Sequence, residues 1–356
     1  MKKIIDDKEC VGCQACKNIC PRNAINMIQK EDGFCVPEID ENKCINCKLC
    51  EKVCPVLNVK KEEDGLPKNY ACINNNEEIR MESSSGGIFT LIAEEILNED
   101  GVVFGVSFNE NLELNHVEVR NKENLKFLRG SKYLQSNIGN TFKLAEDYLK
   151  QNRKVLFTGT PCQIEGLKCF LRKDYNNLYT QDVICHGVPS RKVFEKYVNE
   201  NKVQKVYFRN KENKGWNNYQ ILIKTKNSQK YINHKKDLYM RIFLSDIALR
   251  KSCYNCKFKK KHRVSDITLA DFWGIDKVLP EMNDEKGTSL VILHSSKGKE
   301  IFEKIKDKII FKEVDFYDGI KYNGSMIESC KYNKNRENFF ENLDKLTLTE
   351  LCEKYL

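Results

Sequence analysis

Two cysteine runs share one design, Cys10-x2-Cys13-x2-Cys16-x3-Cys20-Pro21 and Cys44-x2-Cys47-x2-Cys50-x3-Cys54-Pro55. Three thiolates at successive short spacings wrap one iron–sulfur cube. A fourth, three residues on and followed by proline, completes the cube of the other run. The spacing therefore assigns Cys10, Cys13, Cys16 and Cys54 to one 4Fe–4S cluster, and Cys44, Cys47, Cys50 and Cys20 to a second. Zinc needs four thiolates placed around each ion, which these runs supply poorly. The chemistry expected of such residues is electron transfer.

Four further cysteines stand at turns beside expected strand ends. Thr158-Gly159-Thr160-Pro161-Cys162 reads as a strand-to-helix turn that puts Cys162 at a helix N-terminus, where a thiolate is favoured. Cys185-His186-Gly187-Val188-Pro189 follows another strand, and Cys253-x2-Cys256 is the only close pair outside the two runs. Four thiolates converging from three loops would make a closed sulfur site, suited to a cube or to zinc. Two other readings stand beside it. Cys162 and Cys185 could instead be core cysteines beside an idle pair, or Cys162 a nucleophile with His186 as its base, which leaves the close pair unexplained. Cys35, Cys72, Cys169, Cys330 and Cys352 have no partner spacing and read as small buried apolar residues.

Met81-Glu82-Ser83-Ser84-Ser85-Gly86-Gly87 opens an expected helix from Ile88. Small residues at a helix start expose N–H groups that favour a phosphate, although serine capping accounts for the same composition. Arg129-Gly130-Ser131-Lys132-Tyr133 adds two cations on a second turn, and Thr158-Gly159-Thr160 supplies a third turn. Together Ser84, Ser85, Gly86, Gly87, Arg129, Ser131, Lys132, Thr158, Gly159 and Thr160 suggest a dinucleotide held by several loops, since the G-x-G-x-x-G turn is absent.

These residues need elements to position them. The cysteine runs repeat at an offset of 34 residues, and Ile25–Ile28 and Phe34–Val36 flank a Glu31-Asp32-Gly33 turn that reads as a hairpin. Residues 59–68 form a charged linker with Gly65 and Pro67, across which few contacts are expected, so residues 1–58 should be separable. Beyond it strands and helices alternate. Strands are expected at Tyr70–Ile73, Gly101–Ser107, Lys154–Phe157, Thr180–Ile184, Ile267–Ala270 and Ser289–Leu293, and helices at Ile88–Leu97, Ile138–Leu149 and Gln163–Leu171. Val203–Arg209, Tyr219–Thr225 and Gln229–Ile232 read as an antiparallel group, and the tail from Tyr317 as polar and mostly helical. The expected fold is an α+β ferredoxin-like dicluster domain (1–58), then a larger α/β domain with a mixed sheet. That domain divides into 69–145 and 146–316, followed by a helical tail, 317–356.

The 356 residues carry a formal charge of +9, yet residues 1–58 hold nine Lys/Arg and nine Asp/Glu, so the excess lies downstream. Each cube with its four thiolates carries roughly −2, and three cubes with a flavin diphosphate would bring the loaded protein to about +1. The basic bias then reads as compensation for cofactors and not as a nucleic-acid surface, for which no recognition fold is present. The first residues, Met1-Lys2-Lys3-Ile4-Ile5, lack an apolar signal region, and no apolar run is long enough to span a bilayer. Cysteines at cofactor spacings are consistent with a reducing cytoplasm.

The motifs resemble a family, the beta subunit of coenzyme F420 hydrogenase/dehydrogenase, in its form with an N-terminal two-cluster ferredoxin domain. The resemblance rests on Ser84-Ser85-Gly86-Gly87, Gly130-Ser131-Lys132-Tyr133, Gly159-Thr160-Pro161-Cys162-Gln163 and Cys185-His186-Gly187-Val188-Pro189-Ser190. It continues, in family order, through Cys253-x2-Cys256-Lys257-Phe258, Ser265-Asp266-Ile267-Thr268, Asp271-Phe272-Trp273-Gly274 and Lys286-Gly287-Thr288-Ser289. It implies an iron–sulfur flavoprotein in which Cys162, Cys185, Cys253 and Cys256 ligate a third 4Fe–4S cluster beside FAD. It further implies an FAD-dependent oxidoreductase exchanging electrons with a deazaflavin-like or other two-electron small molecule and with a redox partner, a ferredoxin or a partner oxidoreductase subunit. The alternative is a non-catalytic subunit that relays electrons to a partner enzyme. The Lys257–Arg263 run reads as a solvated charge run, Trp216 as packing locally, and of five histidines only His186 sits within a motif.

Overall fold

The structure is a computed structural model that describes residues 3–62 and 64–356. Met1 and Lys2 of the leading segment and Glu63 of the linker lie outside the described residues. The expected fold class is the one observed: a small ferredoxin-like unit, then a larger α/β unit on an eight-stranded mixed sheet.

In the first unit the predicted hairpin forms from β1 (Ile25–Gln29) and β2 (Cys35–Ile39), paired antiparallel. Short helices, Ala15–Ile19 and Leu49–Lys52, carry the last cysteines of each triplet. The large sheet is built from β3 (Lys68–Asn74), β4 (Val102–Phe108), β5 (Leu114–Val119), β6 (Val155–Thr158) and β7 (Leu178–Val183). β8 (Lys205–Asn210), β9 (Gln220–Lys224) and β10 (Gln229–Asn233) form the separate antiparallel group foreseen from sequence. β11 (Ile267–Asp271), β12 (Ser289–Leu293) and β13 (Ile309–Val314) complete the large sheet in the order β13-β3-β12-β11-β7-β6-β4-β5. Its centre, β11-β7-β6-β4, is parallel, and the pairs on either side are antiparallel. A parallel centre is covered on both faces, so β4 and β6 read as near-continuous apolar runs. The site follows from this centre. The turns with Cys162 and Cys185 leave the carboxyl ends of neighbouring parallel strands, β6 and β7, where open α/β sheets place their ligands.

β5, β13 and the helices Arg191–Asn201, Leu238–Leu244 and Ser296–Ile305 went unforeseen. The helix expected from Ile138 begins at Thr141, because Gly139 takes a left-handed φ of +58°. Its N–H donates to the Gln14 side chain of the ferredoxin unit.

That bond introduces a correction. The charged linker does not isolate the ferredoxin unit, which shares a core with the sheet. Val11, Cys13, Ala15, Val53 and Val56 pack in one cluster with Phe142, Ala145, Ile164, Leu167 and Phe258. Helix Ala15–Ile19 lies against helix Pro161–Leu171 so closely that a Cβ at Gly166 would sit 2.9 Å from the Cys13 Cβ. Polar contacts frame the seam: Gln14 donates to Asn137 (2.9 Å), Asn18 to the Gly139 carbonyl (3.0 Å) and Gln135 to the Val11 carbonyl (2.9 Å). Linker composition reports solvation of the linker itself and says nothing of the apolar faces on either side. No helix among the described residues is long and apolar enough to cross a membrane.

Candidate iron–sulfur sites and cofactor cavity

The structure brings the ferredoxin cysteines together in the crossed sets read from their spacing. Cys54 lies with Cys10, Cys13 and Cys16, each of whose thiols is pushed up by burial first and then by neighbouring cysteines. Cys20 lines one small cavity with Cys44, Cys47 and Cys50. The Ala24 N–H donates to the Cys20 sulfur, a bond that would favour a thiolate there (3.3 Å).

Cys162, Cys185, Cys253 and Cys256 converge as a third set. Burial raises the Cys162 thiol well above its usual range, with Cys256, Cys185 and Cys13 adding to the rise. The Cys185 and Cys253 thiols are pushed up to about 12, again by burial first. Thiols held this high bind metal only with release of their protons, which couples loading to pH. Among the described residues, no three of these twelve sulfurs lie within 4.8 Å of one another. The sets also form a row. Cys50 acts on Cys16 across the first two, and Cys13 acts on Cys162 across the second step.

Beside the third set opens a cavity of about 550 Å³, within the range that holds organic cofactors. Ser84, Ser85, Gly87, Arg129, Ser131, Lys132, Thr158, Gly159 and Thr160 line it, together with Cys185 and His186. Gly86 does not; its N–H donates to Ser289 Oγ, and a Cβ there would meet the Cys72 carbonyl at 2.3 Å. Ser131 donates through both its N–H (2.6 Å) and its hydroxyl (2.9 Å) to Ser84 Oγ, which ties two of the loops. Thr160 and Gln163 form a reciprocal capping box on the helix that carries Cys162.

The two cations expected on these loops are engaged elsewhere. Arg129 pairs with Glu82 and donates to Thr90 Oγ1. Lys132 donates to the carbonyls of Leu128, Arg129 and Gly130, and burial lowers its ammonium to about 7. The cation that sequence missed is Arg209, on the far wall, held by Asp271 at 3.0 Å and lying 4.0 Å from the Tyr219 ring centre and 4.9 Å from that of Trp273. Its Nε and Gln181 Oε1 are buried without partners, and both residues line the cavity, so it offers an unmet donor and acceptor to a polar cofactor. Trp216 packs locally as expected, stacked on Trp273 at 4.9 Å. His186, half-buried, meets Asp246 at 2.6 Å.

His116, outside the motifs, is part of a buried hydrogen-bond series. Gln163 donates to Ser136 Oγ, whose hydroxyl faces His116 Nδ1 (3.0 Å), and His116 Nε2 reaches the Thr158 carbonyl (2.9 Å). Burial lowers the His116 ring to about 4. The unfolded chain, with histidine near 6.5, therefore binds more protons than the folded one between pH 4 and 6.5. Stability is full above that window and falls as pH drops through it, by about 3 kcal/mol for this group. The His116→Gln variant should show a smaller loss in urea midpoint between pH 7 and 4.5 than the unaltered protein. Equal losses would place the acid sensitivity elsewhere.

Comparison with known proteins finds likenesses in both units. Residues 9–58 match the 4Fe-4S dicluster domain, and residues 152–318 match the family described as the C terminus of the coenzyme F420 hydrogenase/dehydrogenase beta subunit. A search of curated proteins finds no match. Among solved structures, a chain of the F420-reducing NiFe hydrogenase complex from Methanosarcina barkeri is similar at 18% identity. The match covers 80% of this chain and 95% of that one with a TM-score of 0.51, a likeness of fold.

Proposed function

On a chain that joins a 4Fe–4S dicluster domain to the C-terminal part of a coenzyme F420 hydrogenase/dehydrogenase beta subunit, we propose an iron–sulfur flavoprotein oxidoreductase. It would pass electrons between ferredoxin-type clusters and FAD, and to or from a deazaflavin-like or other two-electron small molecule. A ferredoxin or a partner oxidoreductase subunit would stand at the other end. The observation that carries this reading is the shared wall: Cys185 lines the same cavity as Ser84, Ser131 and Thr160.

The three cysteine sets would hold three 4Fe–4S clusters. Ser84, Ser85, Gly87, Ser131, Thr158, Gly159 and Thr160 would hold FAD, which supplies exchange between one-electron and two-electron chemistry when bound. The chain's own part is to fix these groups and keep them dry. The Gln163–Ser136–His116–Thr158 series holds the turn next to Cys162, the Ser131–Ser84 bonds hold the opposite loops, and the shared core shields Cys13 and Cys162 from water.

A second reading, the relay subunit without a substrate of its own, is favoured by one observation. Arg129 and Lys132 line the cavity but direct their donors to protein partners, Glu82 and Thr90 for the one and three backbone carbonyls for the other. Flavin content separates the two. Protein purified without oxygen should contain FAD and about twelve irons per chain, four for each cube. Iron near eight would remove the third cluster, zinc alongside eight irons would make that site structural, and absence of flavin would favour the relay. Assays against ferredoxin, the deazaflavin coenzyme and nicotinamides then identify the substrate.

A further inference from the structure

Among the described residues, five arginines are buried: Arg80, Arg209, Arg250, Arg263 and Arg336. Four have a carboxylate partner, in Asp284, Asp271, Asp182 and Asp32 respectively. Arg250 is only 3% exposed and has none. Its guanidinium donates to the carbonyls of Cys10 (2.9 Å) and Cys35 (3.0 Å) and twice to Gln135 Oε1 (2.9 and 3.1 Å), and lies 4.9 Å from the Phe34 ring centre. Every one of these partners is uncharged. Arginine does not shed its proton in a protein, and an isolated buried charge is costly unless an opposite charge lies near.

The position of Arg250 shows where that charge comes from. On one side it holds the Cys10 carbonyl, and Gly12, with φ +67°, passes so close that a Cβ would lie 2.7 Å from an Arg250 nitrogen. On the other side its own carbonyl accepts from the Cys253 N–H (2.9 Å), and Ser252, between them, donates to the Cys10 carbonyl (3.2 Å). The side-chain hydrogen bonds of Arg250 go to Cys10, Cys35 and Gln135, and not to Cys20, Cys44, Cys47 or Cys50 of the outer set.

We propose that Arg250 is the counter-charge shared by two iron–sulfur sites, those of Cys10 and of Cys253, and that it raises their two reduction potentials together. The inference rests on the cluster reading of the third cysteine set. It carries a consequence for transfer. When one electron leaves the Cys10 site, oxidising it, and arrives at the Cys253 site, reducing it, the total negative charge beside Arg250 is unchanged. An electron arriving from the outer site, where Cys20 joins Cys44, adds negative charge next to this cation and is favoured by it.

The test is potentiometric titration of the anaerobic full-length protein, with the clusters followed by electron paramagnetic resonance. In Arg250→Gln, two of the three cluster potentials should shift to more negative values while the third stays in place. In Gln135→Glu the arginine remains but gains a carboxylate where it now meets an amide oxygen, and the same two potentials should shift the same way. Arg250→Lys keeps the charge and should stay near the unaltered protein. A shift of only one potential, an equal shift of all three, or no shift overturns the proposal. So does loss of clusters from both Arg250→Gln and Gln135→Glu, which marks a purely structural arginine. The underlying cluster reading fails separately, on iron near eight in the unaltered protein.

Discussion

Cys253→Ala, purified without oxygen, is expected on the three-cluster reading proposed above to hold about eight irons in place of about twelve, with the proposed FAD and the two ferredoxin-type clusters retained. The expectation follows from how the third set is made. Cys162 and Cys185 are fixed by turns at the ends of β6 and β7, which form the sheet centre and do not depend on a metal. Cys253 lies in a short 3-10 turn, Lys251–Asn255, and Cys256 directly follows it; the turn is anchored through Arg250 and Ser252. Three remaining thiolates cannot complete the coordination. Loss of a residue that merely supports a ligand already costs about 10- to 100-fold in metal affinity, and loss of the ligand should exceed that. Dithionite should still reduce the N-terminal clusters and, directly, the flavin. Flavin reduction driven through the ferredoxin unit should fall by roughly tenfold or more, in proportion to the cluster lost. If such a variant, shown to lack the third cluster, passes electrons to the flavin at the original rate, the row of sites is not the route.

The second large effect is mechanical. Arg336, in the C-terminal tail, is 1% exposed and donates to Asp32 Oδ2 at 2.9 Å, at the tip of the ferredoxin hairpin. The same tip is held by Ser190 Oγ donating to the Asp32 carbonyl (2.6 Å), with Gly33 so close that a Cβ there would lie 2.5 Å from Ser190 Oγ. The tail thus clasps the first unit onto the second. Arg336→Ala removes the buried partner of a half-buried carboxylate, together with packing on Phe340. Breaking such a pair costs about 3 kcal/mol or more. The urea midpoint should fall accordingly, and limited proteolysis in the linker should accelerate. A loss under about 1 kcal/mol, the scale of an exposed ion pair, would show that the clasp is incidental.

What sequence disclosed and what it hid divide along a physical line. Cofactor ligands close short loops, so Cys10 to Cys20 and Cys44 to Cys54 carry their geometry in their spacing. The crossed sets and the pair Cys253–Cys256 were legible for that reason. Cys162 and Cys185 were legible because each follows a strand and a turn. Arg209 and Arg250 were not, because a single cation in a strand or before a turn looks like any surface residue until its burial is seen. β5 buries Leu114, His116 and Val119 at a sheet edge and leaves Asn115, Val117 and Glu118 half-buried, an irregular pattern beside the apolar runs of β4 and β6. The docking of the two units was least legible of all. It is written in scattered valines and one glycine, while the intervening linker advertises the opposite.

The closeness of Gly166 to Cys13, whose sulfur a Cβ would approach to 3.0 Å, sets the distance between two units that the chain joins only through a polar linker. Cys13 and Cys162 pack into one apolar cluster there, with Phe142 and Ile164. Any side chain at position 166 would have to push Cys13 away, so one missing methyl group fixes how near the first two cysteine sets can come to the third.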